Sequence, residues 1–280
     1  MNEDKKVSII TGIYNCAPTL DMAIQSILDQ TYKNWEFILC DDGSKDETYE
    51  IALKYKNRFP DKFIVVKNEK NMGLNFTLNK CLKLATGEYV ARMDGDDVSL
   101  PTRFEKEVEF LNTHPEYAIV STPMIMFDEH GDWGQTNIIK NPQIVDFVHH
   151  TPFFCHAACM IRRDAFLDVN GYTVDKRLLR FEDCNLWFKL YGKGYRGYNL
   201  SEPLYKMLDD RNAFSRRTFS ARMRGVYVKY SGFKLVNMPK RHYYGLVVEF
   251  VKCFLIGICP PPVYKALHRK KQNRARIQGE

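Results

Sequence analysis

The sequence predicts an α/β protein whose mostly parallel central sheet is flanked by helices, and two observations support that prediction. Short apolar segments of strand length alternate with longer segments in which apolar residues recur at helical spacing. This alternation is typical of right-handed βαβ units, which build a parallel, doubly wound sheet. The chain has 280 residues and is 45% hydrophobic, so it can supply the core of one large domain with an appendage.

The first half of the chain is predicted to contain four strands, each followed by a helix. The strands cover residues 7–15, 35–40, 63–66 and 88–92, and the first is apolar almost throughout, as a strand covered on both faces would be. Local signals place the helix ends. These signals are Pro18, a capping box of Ser44 with Glu47, a stop at Gly87, and Ser99 with Pro101.

The second half of the chain is less regular. Strands are predicted over residues 118–121 and 153–163, a turn over 128–132, and loops over 134–150. A mostly buried helix is predicted to begin near Glu182 and Asp183, because the helix dipole favours carboxylates in a first turn. Such a pair also fits an ordinary helix start with no other role.

Polar residues gather where three of the predicted strands end. These ends are residues 11–15, 41–42 and 94–97. In doubly wound sheets ligands bind at the carboxyl ends of the strands, so the pattern indicates a site of nucleotide size. Neither a GxGxxG sequence nor a P-loop is present to hold phosphates, and a metal ion is the expected substitute.

Asp94 and Asp96 are the candidate metal ligands. Residues two apart in an extended segment point the same way, which would put both carboxylates on one side of Gly95. Mn²⁺ or Mg²⁺ typically takes one or two carboxylates together with the oxygens of a substrate diphosphate. An acidic surface turn without a ligand is the alternative interpretation, because Asp and Gly are ordinary turn residues.

Cysteine usage and the N-terminus both favour a cytoplasmic protein. The eight cysteines are scattered and form neither a CxxC pair nor a His-Cys zinc spacing, so we expect reduced thiols. Residues 1–6 are polar and lead into the first strand without an apolar signal segment.

Charge is distributed unevenly along the chain. Residues 211–280 hold 16 Lys and Arg against 2 Asp and Glu, whereas residues 1–210 carry a net charge of −7. This asymmetry indicates an anionic partner for the C-terminal region. Residues 243–259 are apolar except for Glu249 and Lys252, and the segment is shorter than the ~20 residues of a membrane-spanning helix.

An amphipathic helix at the membrane interface is the favoured interpretation of this segment, because basic residues follow it and attract anionic lipid. Two alternatives stay open. The segment also fits a helix packed on the rest of the protein. Nucleic acid would explain the charge, although no recognised binding motif accompanies it.

Taken in order, the motifs resemble glycosyltransferase family 2, the inverting, nucleotide-sugar-dependent group with the GT-A fold, in its bacterial surface-polysaccharide form. The resemblance covers roughly residues 5–205. The matching residues are 7–15, Asp41 to Ser44, Asn71 to Gly73, Met93 to Asp97 with Pro101 and Arg103, His156, Arg162 and Arg163, Gly171 and Tyr172, Glu182 and Asp183, and Leu186 and Trp187.

The resemblance implies roles for individual residues on the donor side. Thr11 and Asn15 would lie near the nucleotide, and Asp41 would receive the base, usually uracil. Asp94 would lie by the ribose and the metal, with Asp96 as the direct ligand of Mn²⁺ or Mg²⁺.

On the acceptor side, the resemblance implies that Asp183 is the general base. His156, Arg180 and Glu182 are candidate contacts to the donor or the acceptor. His156 lies in an apolar run, so a hydrogen-bonded core histidine fits it equally well. Gly12, where the family often has proline, is a small departure that removes no group the chemistry requires.

The expected enzyme moves a sugar, from a UDP-sugar in the first instance, to a saccharide or lipid-linked saccharide in surface polysaccharide synthesis. Residues 1–210 would be the catalytic domain, with a nucleotide-binding half (1–115) and an acceptor-binding half (116–210). Residues 211–280 would be a basic, helical, membrane-associating tail at the inner face of the cell membrane. A sugar nucleotidyltransferase and a non-catalytic nucleotide-sugar binder are the alternatives, and the first usually needs a basic glycine-rich loop that residues 11–15 lack.

Overall fold

The computed structural model describes residues 4–149, 153–208 and 219–258. The strands are β1 Val7–Ile13, β2 Trp35–Asp41, β3 Phe63–Lys67, β4 Tyr89–Arg92, β5 Val98–Ser99, β6 Ile119–Ser121, β7 Met124–Asp128, β8 Gly131–Gln135, β9 Met160–Arg162, β10 Gly197–Asn199 and β11 Tyr205–Leu208. The helices are α1 Ala17–Leu28, α2 Thr48–Arg58, α3 Leu74–Leu84, α4 Arg103–Thr113, α5 Arg163–Asp168, α6 Glu182–Gly192, α7 Phe219–Leu235 and α8 Tyr244–Ile258.

A seven-stranded sheet in the order β10-β6-β9-β4-β1-β2-β3 forms the centre of the molecule. Strand β9 runs antiparallel to both of its neighbours, and the other neighbouring pairs are parallel. The predicted α/β class with a mostly parallel sheet is therefore confirmed. Because β4, β1 and β2 are adjacent and parallel, their carboxyl ends and the polar residues that follow them lie at one edge of the sheet.

Both faces of this sheet are covered. Ile9 belongs to an apolar cluster shared with α1, α2 and α4, whereas Ile10 belongs to a second cluster shared with α3, α5, α6 and α7. Successive residues of a strand point to opposite faces, so a strand buried on both sides needs apolar residues at nearly every position. That requirement explains the continuous apolar run of β1.

A second sheet of four short strands, in the order β5-β11-β7-β8, lies beside the first and was not predicted. Its β7–β8 hairpin confirms the turn expected over residues 128–132. Ser99, expected to open a helix, lies instead in β5 and pairs with Tyr205, and α4 begins at Arg103. The pairing brings Tyr205 next to the loop that follows β4.

The predicted capping box of Ser44 and Glu47 is wrong. Helix α2 begins at Thr48, and the Thr48 amide donates to Oδ1 of Asp46 at 3.1 Å. The Ser44 hydroxyl instead accepts a hydrogen bond from the amide of Asn15 at 3.0 Å. Ser44 therefore joins two loops at the edge of the sheet rather than starting a helix.

Two other sequence expectations also need correction. Helix α3 ends at Leu84, so Gly87 does not end it. Gly87 instead lets the chain pass close to Lys6, because a Cβ there would lie 2.4 Å from the carbonyl oxygen of Lys6. The strand expected over residues 153–163 is shorter. A 3-10 helix, His156–Ala158, precedes β9, and α5 follows it directly.

Helix α7 packs closely on α6. A Cβ at Gly232 would lie 2.1 Å from the ring of Phe188, and Phe233 is fully buried in the cluster shared with α6. The buried Lys229 side chain donates to the carbonyl oxygen of Val148 at 2.6 Å. These contacts make α7 part of the same packed body as the sheet.

Helix α8 packs against α7 and leaves apolar side chains exposed. Cys253 is buried, and Gly245 lies so close to Val148 that a Cβ would come within 2.6 Å of it. We call the exposed set the α8 apolar surface: Val247, Val248, Phe250, Val251, Phe254 and Leu255. No helix in the described ranges combines the length and apolarity of a membrane span. The basic residues from His268 to Arg276 lie outside the described part of the chain.

Candidate active site

The loop of residues 93–97 is fixed against the end of β1. The Thr11 hydroxyl, fully buried, donates to the carbonyl oxygen of Met93 at 2.9 Å. A Cβ at Gly95 would lie 2.9 Å from Sγ of Cys16, so only glycine allows the loop to approach this closely. Residues 95–96 form a turn, and the extended geometry assumed for Asp94 and Asp96 is therefore not present.

Asp94 is paired with an arginine that the sequence analysis did not single out. Nη1 of Arg92 lies 2.6 Å from Oδ1 of Asp94, and the two side chains are 3% and 34% exposed. Burial lowers the pKa of Arg92, but the Asp94 carboxylate, together with Tyr172 and Tyr205, outweighs that effect and raises the pKa. The guanidinium therefore stays charged, and it binds one of the two carboxylate oxygens of Asp94.

The remaining carboxylates of the loop lie in different environments. Asp96 is exposed, whereas Asp97 is buried and accepts a hydrogen bond from the amide of Leu208 at 2.8 Å. Burial, together with the carboxylates of Asp94 and Asp96, raises the pKa of Asp97 well above its usual range. The hydroxyl of Tyr205 accepts the amide of Asp94 at 3.1 Å. Asp97 and Tyr205 thus hold the loop, and Asp94 and Asp96 face outward.

This arrangement suits a divalent ion that is completed by its substrate. The described residues contain no group of three or more His, Cys, Asp or Glu side chains able to hold a metal. Mg²⁺ and Mn²⁺ sites of one or two carboxylates draw their other ligands from water and phosphate oxygens. The exposed Asp96 and the outer oxygen of Asp94 match that donor set.

Beneath the loop, Arg103 ties β4 to the neighbouring strand β9. It is fully buried, and its Nη2 donates to the carbonyl oxygens of Arg92 at 3.1 Å and Cys159 at 3.2 Å. Nε of Arg103 lies 3.2 Å from Glu107, and burial raises the pKa of that carboxyl to about 7. Arg103, one of the residues that carry the family resemblance, therefore stabilises the backbone beneath the site.

Asp41 and Asp42, at the end of β2, bind different partners. Asp41 is fully buried, accepts the amide of Ser44 at 3.2 Å and lies 3.6 Å from Nζ of Lys67. Asp42 accepts the amides of Met72 at 2.8 Å and Gly73 at 2.9 Å. Asp42 thus shapes the loop that leads into α3.

Asn15 lies at the same edge of the sheet. Its φ is 48°, and its side-chain oxygen accepts the amide of Lys45 at 2.9 Å. With the bond from its amide to Ser44, Asn15 joins the loops that follow β1 and β2.

His156 and Tyr172 form a hydrogen-bonded pair in the site. Nε2 of His156 lies 2.7 Å from the Tyr172 hydroxyl. Burial, with the charge of Arg92, lowers the pKa of His156 well below its usual value, so the ring is neutral at physiological pH. Burial, the Cys159 thiol, and the carboxylates of Asp183 and Asp94 raise the pKa of Tyr172.

Asp183 lies in the first turn of α6, as expected. Burial raises the pKa of its carboxyl to about 6, against the opposing effect of the Cys184 amide. The Cys184 thiol also hydrogen-bonds this carboxylate. Just before the helix, Arg180 has a φ of 73°, a left-handed conformation that is uncommon outside glycine. Glu182 is only partly exposed at the helix start.

Arg92 and Tyr205 are the residues that sequence reasoning missed. Arg92 lies in a strand whose pattern reads as apolar and buried, and a charge inside such a run was the available signal. Tyr205 is separated from Asp94 by 111 residues, so no local spacing connects them.

Two family models match the chain. Glycosyl transferase family 2 matches residues 8–169, and glycosyl transferase family group 2 matches residues 89–258. Among curated proteins, the one named "Putative glycosyltransferase EpsE", of Bacillus subtilis, is 41% identical over 97% of this chain and 96% of its own length. The UDP-Glc:α-D-GlcNAc-diphosphoundecaprenol β-1,3-glucosyltransferase WfaP of Escherichia coli is 31% identical over 72% of this chain and 77% of its own length.

Solved structures share the fold at low sequence identity. A mannosyltransferase of Pyrobaculum calidifontis in complex with GDP-Man and Mn²⁺ has a TM-score of 0.64 and 18% identity, over 95% of this chain and 79% of that one. TarS of S. aureus in complex with UDP-GlcNAc has a TM-score of 0.64 and 18% identity, over 85% of this chain and 73% of that one. The fold is therefore the GT-A fold of these transferases.

Proposed function

This chain belongs to glycosyltransferase family 2 and is a glycosyltransferase, and on that premise we propose that it transfers a sugar from a nucleotide-diphosphate donor to a saccharide acceptor with inversion. The observation that carries the proposal is the loop after β4, which Thr11 holds through the Met93 carbonyl at 2.9 Å and which presents Asp94, 34% exposed, and the exposed Asp96 beside the ends of β1 and β2. Asp183, in the first turn of α6, supplies a further, partly exposed carboxylate. A metal-binding pair and a separate base are the groups that a single displacement between donor and acceptor requires.

Asp183 is the proposed general base. The incoming hydroxyl must lose a proton as it attacks the anomeric carbon, and a carboxylate within reach typically contributes ~10²–10⁴-fold to such a step. With a pKa of about 6, Asp183 is ionised at neutral pH and more basic than an ordinary aspartate. Attack from the face opposite the leaving group inverts the anomeric carbon.

The donor is proposed to bind at the ends of β1, β2 and β4. Asp41 would bind the base, Thr11 and Asn15 would lie near the nucleotide, and Asp94 and Asp96 would hold Mn²⁺ or Mg²⁺. When bound, the ion would neutralise the negative charge that develops on the departing phosphate. The complex of the mannosyltransferase with Mn²⁺ supports this metal assignment.

A UDP-sugar is the proposed donor. UDP-GlcNAc in the TarS complex and the UDP-Glc in the name of WfaP support it, and the GDP-Man complex is the competing precedent. His156, Arg180 and Glu182 are the proposed contacts to the donor sugar or the acceptor. A neutral, hydrogen-bonded His156 suits recognition of a hydroxyl better than that of a phosphate.

The proposed acceptor is a saccharide or lipid-linked saccharide in surface polysaccharide synthesis. The name of WfaP specifies a sugar on diphosphoundecaprenol, and an amylovoran biosynthesis glycosyltransferase of Erwinia amylovora is 32% identical over 71% of this chain. Such an acceptor lies at a membrane, where the α8 apolar surface and the basic C-terminal region would hold the enzyme. The protein would then act in the cytoplasm, at the inner face of the cell membrane.

Vesicle flotation tests the membrane contact. Phe250→Glu with Phe254→Glu should remove recovery with vesicles that contain phosphatidylglycerol, whereas Lys234→Glu, an exposed change on α7, should leave most of it. Removing α8 altogether is a poorer test, because the helix also covers α7. Equal flotation of the double variant and the parent protein would contradict membrane docking through α8.

Thermal stability against a panel of UDP-, GDP- and dTDP-sugars, with and without Mn²⁺, tests the transferase assignment. A ligand at ~100 times its dissociation constant stabilises the folded state by about 2.7 kcal/mol, which raises the melting temperature measurably. We expect a shift with one nucleotide sugar that depends on the metal and is lost in Asp96→Ala.

Asp183→Asn is the matched control in this experiment. It should keep the shift and abolish transfer, which separates an enzyme from a non-catalytic binder. A variant that still transfers sugar would refute the role of Asp183, and a panel without any shift would refute the donor site.

A further inference from the structure

His156 lies beside the loop that carries the candidate metal ligands. Strand β9 runs antiparallel to β4, and the amide of Arg92 donates to the carbonyl oxygen of Cys159 at 2.9 Å. The residues just before β9 therefore lie at the carboxyl end of β4, where residues 93–97 begin. His156 is the first residue of the 3-10 helix at that position.

The imidazole ring of His156 also lies close to the helix that carries Asp183. The centroid of the imidazole is 6.1 Å from that of the Trp187 ring, in an edge-to-face arrangement. Trp187 is four residues after Asp183 in α6, so the two side chains share a face of the helix, one turn apart. His156 therefore adjoins both the acidic loop and the face of α6 that carries the candidate base.

Tyr172 is the hydrogen-bond partner of the imidazole ring. Its hydroxyl lies 2.7 Å from Nε2 of His156, its side chain is buried, and the hydroxyl has no second partner within the described ranges. If Nε2–H were the donor, the phenolic proton would be buried without an acceptor, which is unfavourable. The hydroxyl therefore donates to Nε2, and the proton of the neutral ring is on Nδ1.

Two neighbouring helices hold the backbone around Tyr172. Asn79 of α3 accepts the Tyr172 amide through Oδ1 and donates to its carbonyl oxygen through Nδ2, both at 2.8 Å. Nζ of Lys189, in α6, donates to the carbonyl oxygen of Gly171 at 2.6 Å. A Cβ at Gly171 would lie 2.5 Å from Oδ1 of Asn79, so the segment approaches α3 this closely only with glycine there. Tyr172 thus has a fixed position from which it orients the imidazole.

Nδ1 is the ring nitrogen of His156 that is left for a ligand. The side chain is partly exposed, and Nδ1 is neither enclosed nor hydrogen-bonded within the part of the chain that the structure describes. In a single displacement the metal holds the leaving phosphate and the base meets the attacking hydroxyl, so the transferred sugar occupies the space between them. An Nδ1–H group beside that space can donate to an oxygen of the sugar.

We propose that Tyr172 is a positioning residue that fixes the Nδ1–H tautomer of His156, and that this Nδ1–H donates to a hydroxyl oxygen of the donor sugar. The inference rests on the proposed function and adds to it the atom that recognises the sugar and the residue that determines where its proton lies. Without the Tyr172 hydroxyl nothing would hold the proton on Nδ1, and that nitrogen could no longer donate reliably.

Nitrogen-15 NMR of the histidine side chains in the full chain tests the tautomer. The His156 signals, assigned by their absence in His156→Gln, should show the proton on Nδ1 in the parent protein and on Nε2 in Tyr172→Phe. Tyr89→Phe is the matched control, because it removes a buried hydroxyl that donates to Oδ1 of Asn112 at 2.7 Å, at the other end of β4 from the site. This control should leave the His156 signals unchanged.

Calorimetric titrations with UDP-GlcNAc, UDP-Glc and GDP-Man, and with UDP and GDP, all in the presence of Mn²⁺, test the sugar contact. Tyr172→Phe should weaken the tightest nucleotide sugar by about 2- to 10-fold, the size of one hydrogen bond, and leave its nucleoside diphosphate unaffected. His156→Asn should retain more affinity than His156→Gln, because the Asn amide lies near the position of Nδ1 and the Gln amide near that of Nε2. Adding Tyr172→Phe to His156→Asn should then cause no further loss.

A parent protein with the proton on Nε2 would overturn the proposal without any ligand, even if Tyr172→Phe folds poorly. An unchanged nucleotide-sugar affinity in Tyr172→Phe would also overturn it, as would equal weakening of the nucleotide sugar and its nucleoside diphosphate, which would mark a structural role alone. Failure of every nucleotide sugar to bind the parent protein would instead refute the proposed function on which the inference rests.

Discussion

The guanidinium of Arg92 and the carboxylate of Asp94 form an ion pair of 2.6 Å in which the cation is buried and the anion is one-third exposed. This difference in exposure determines what happens when the ion pair is broken. An arginine left without its partner remains in the interior, whereas an aspartate left alone can still be solvated. Removing one partner of a buried pair typically costs about 3–5 kcal/mol, because it leaves the other charge uncompensated.

The stability of Arg92 and Asp94 variants should therefore be unequal. Asp94→Asn should lower the free energy of unfolding by more than Arg92→Met, and the double variant should be more stable than Asp94→Asn alone. Urea denaturation of the three variants and the parent protein measures this. If the double variant is less stable than both single variants, the charge of Arg92 is satisfied elsewhere.

Transfer activity should follow the ionisation of Asp183. Its carboxyl has a pKa of about 6, so kcat/KM should fall about tenfold per unit as pH decreases below that value. His156 should not contribute to this limb, because its pKa lies well below the usual range. A pH–rate profile of the parent protein and His156→Gln measures the effect. A limb that disappears in His156→Gln would assign it to the histidine instead.

The same pKa has an opposite consequence for stability. A carboxyl whose folded-state pKa is raised binds its proton more tightly when folded, so its contribution to stability is lost as pH rises from about 4 to about 6. Asp183→Asn, which carries no charge, should therefore be more stable than the parent protein at pH 8, by about 1–3 kcal/mol. Thermal denaturation at pH 5 and pH 8 measures this. A variant less stable than the parent at pH 8 would contradict the burial of that charge.

Gly95→Ala should impair activity by moving the loop that carries the carboxylates. The new Cβ would meet Sγ of Cys16 at 2.9 Å, and Ile13 at 3.1 Å. Overpacking of this kind typically costs about 1–3 kcal/mol. Steady-state kinetics with a nucleotide sugar should show a raised KM. Cys16→Ala added to Gly95→Ala should restore part of the loss, and the absence of any restoration would argue against this contact.

Gly232→Ala should destabilise the whole protein, because its Cβ would lie 2.1 Å from the Phe188 ring. We expect a loss of about 1–3 kcal/mol or more in chemical denaturation, as for other overpacked cores. Ser220→Ala, on an exposed position of the same helix, is the matched control and should be close to neutral. A neutral Gly232→Ala would mean that α7 does not pack on α6 in solution.

Much of the fold follows from local pattern. The apolar runs of β1 and β2 have the length and continuity of strands covered on both faces, and their ends mark the edge where the polar residues gather. Helix starts were harder to locate. The Ser44–Glu47 pattern matches a capping box in sequence, but no such box forms, because the Ser44 hydroxyl binds the Asn15 amide, a partner that only the assembled sheet brings within reach.

The acidic residues of the site could be predicted from the sequence, but the residues that bind them could not. Asp94, Asp96 and Asp183 stand in recognisable motifs, whereas Arg92 was read as a strand residue and the small sheet that contains Tyr205 was missed. Strands of two to five residues carry too little periodicity to be identified from sequence. Their contacts with the acidic loop are made across more than a hundred residues, which no local rule detects.

The bonds from Tyr205 and Leu208 to the acidic loop have a consequence for biosynthesis. Both span 111 residues, so the ribosome must complete that stretch before the loop at Asp94 and Asp97 can be closed. At about 5–20 residues per second this takes roughly 6–22 s, during which β1 to β4 can already pair. A nascent chain arrested within that stretch would contain every donor-side carboxylate and still be unable to hold them in place.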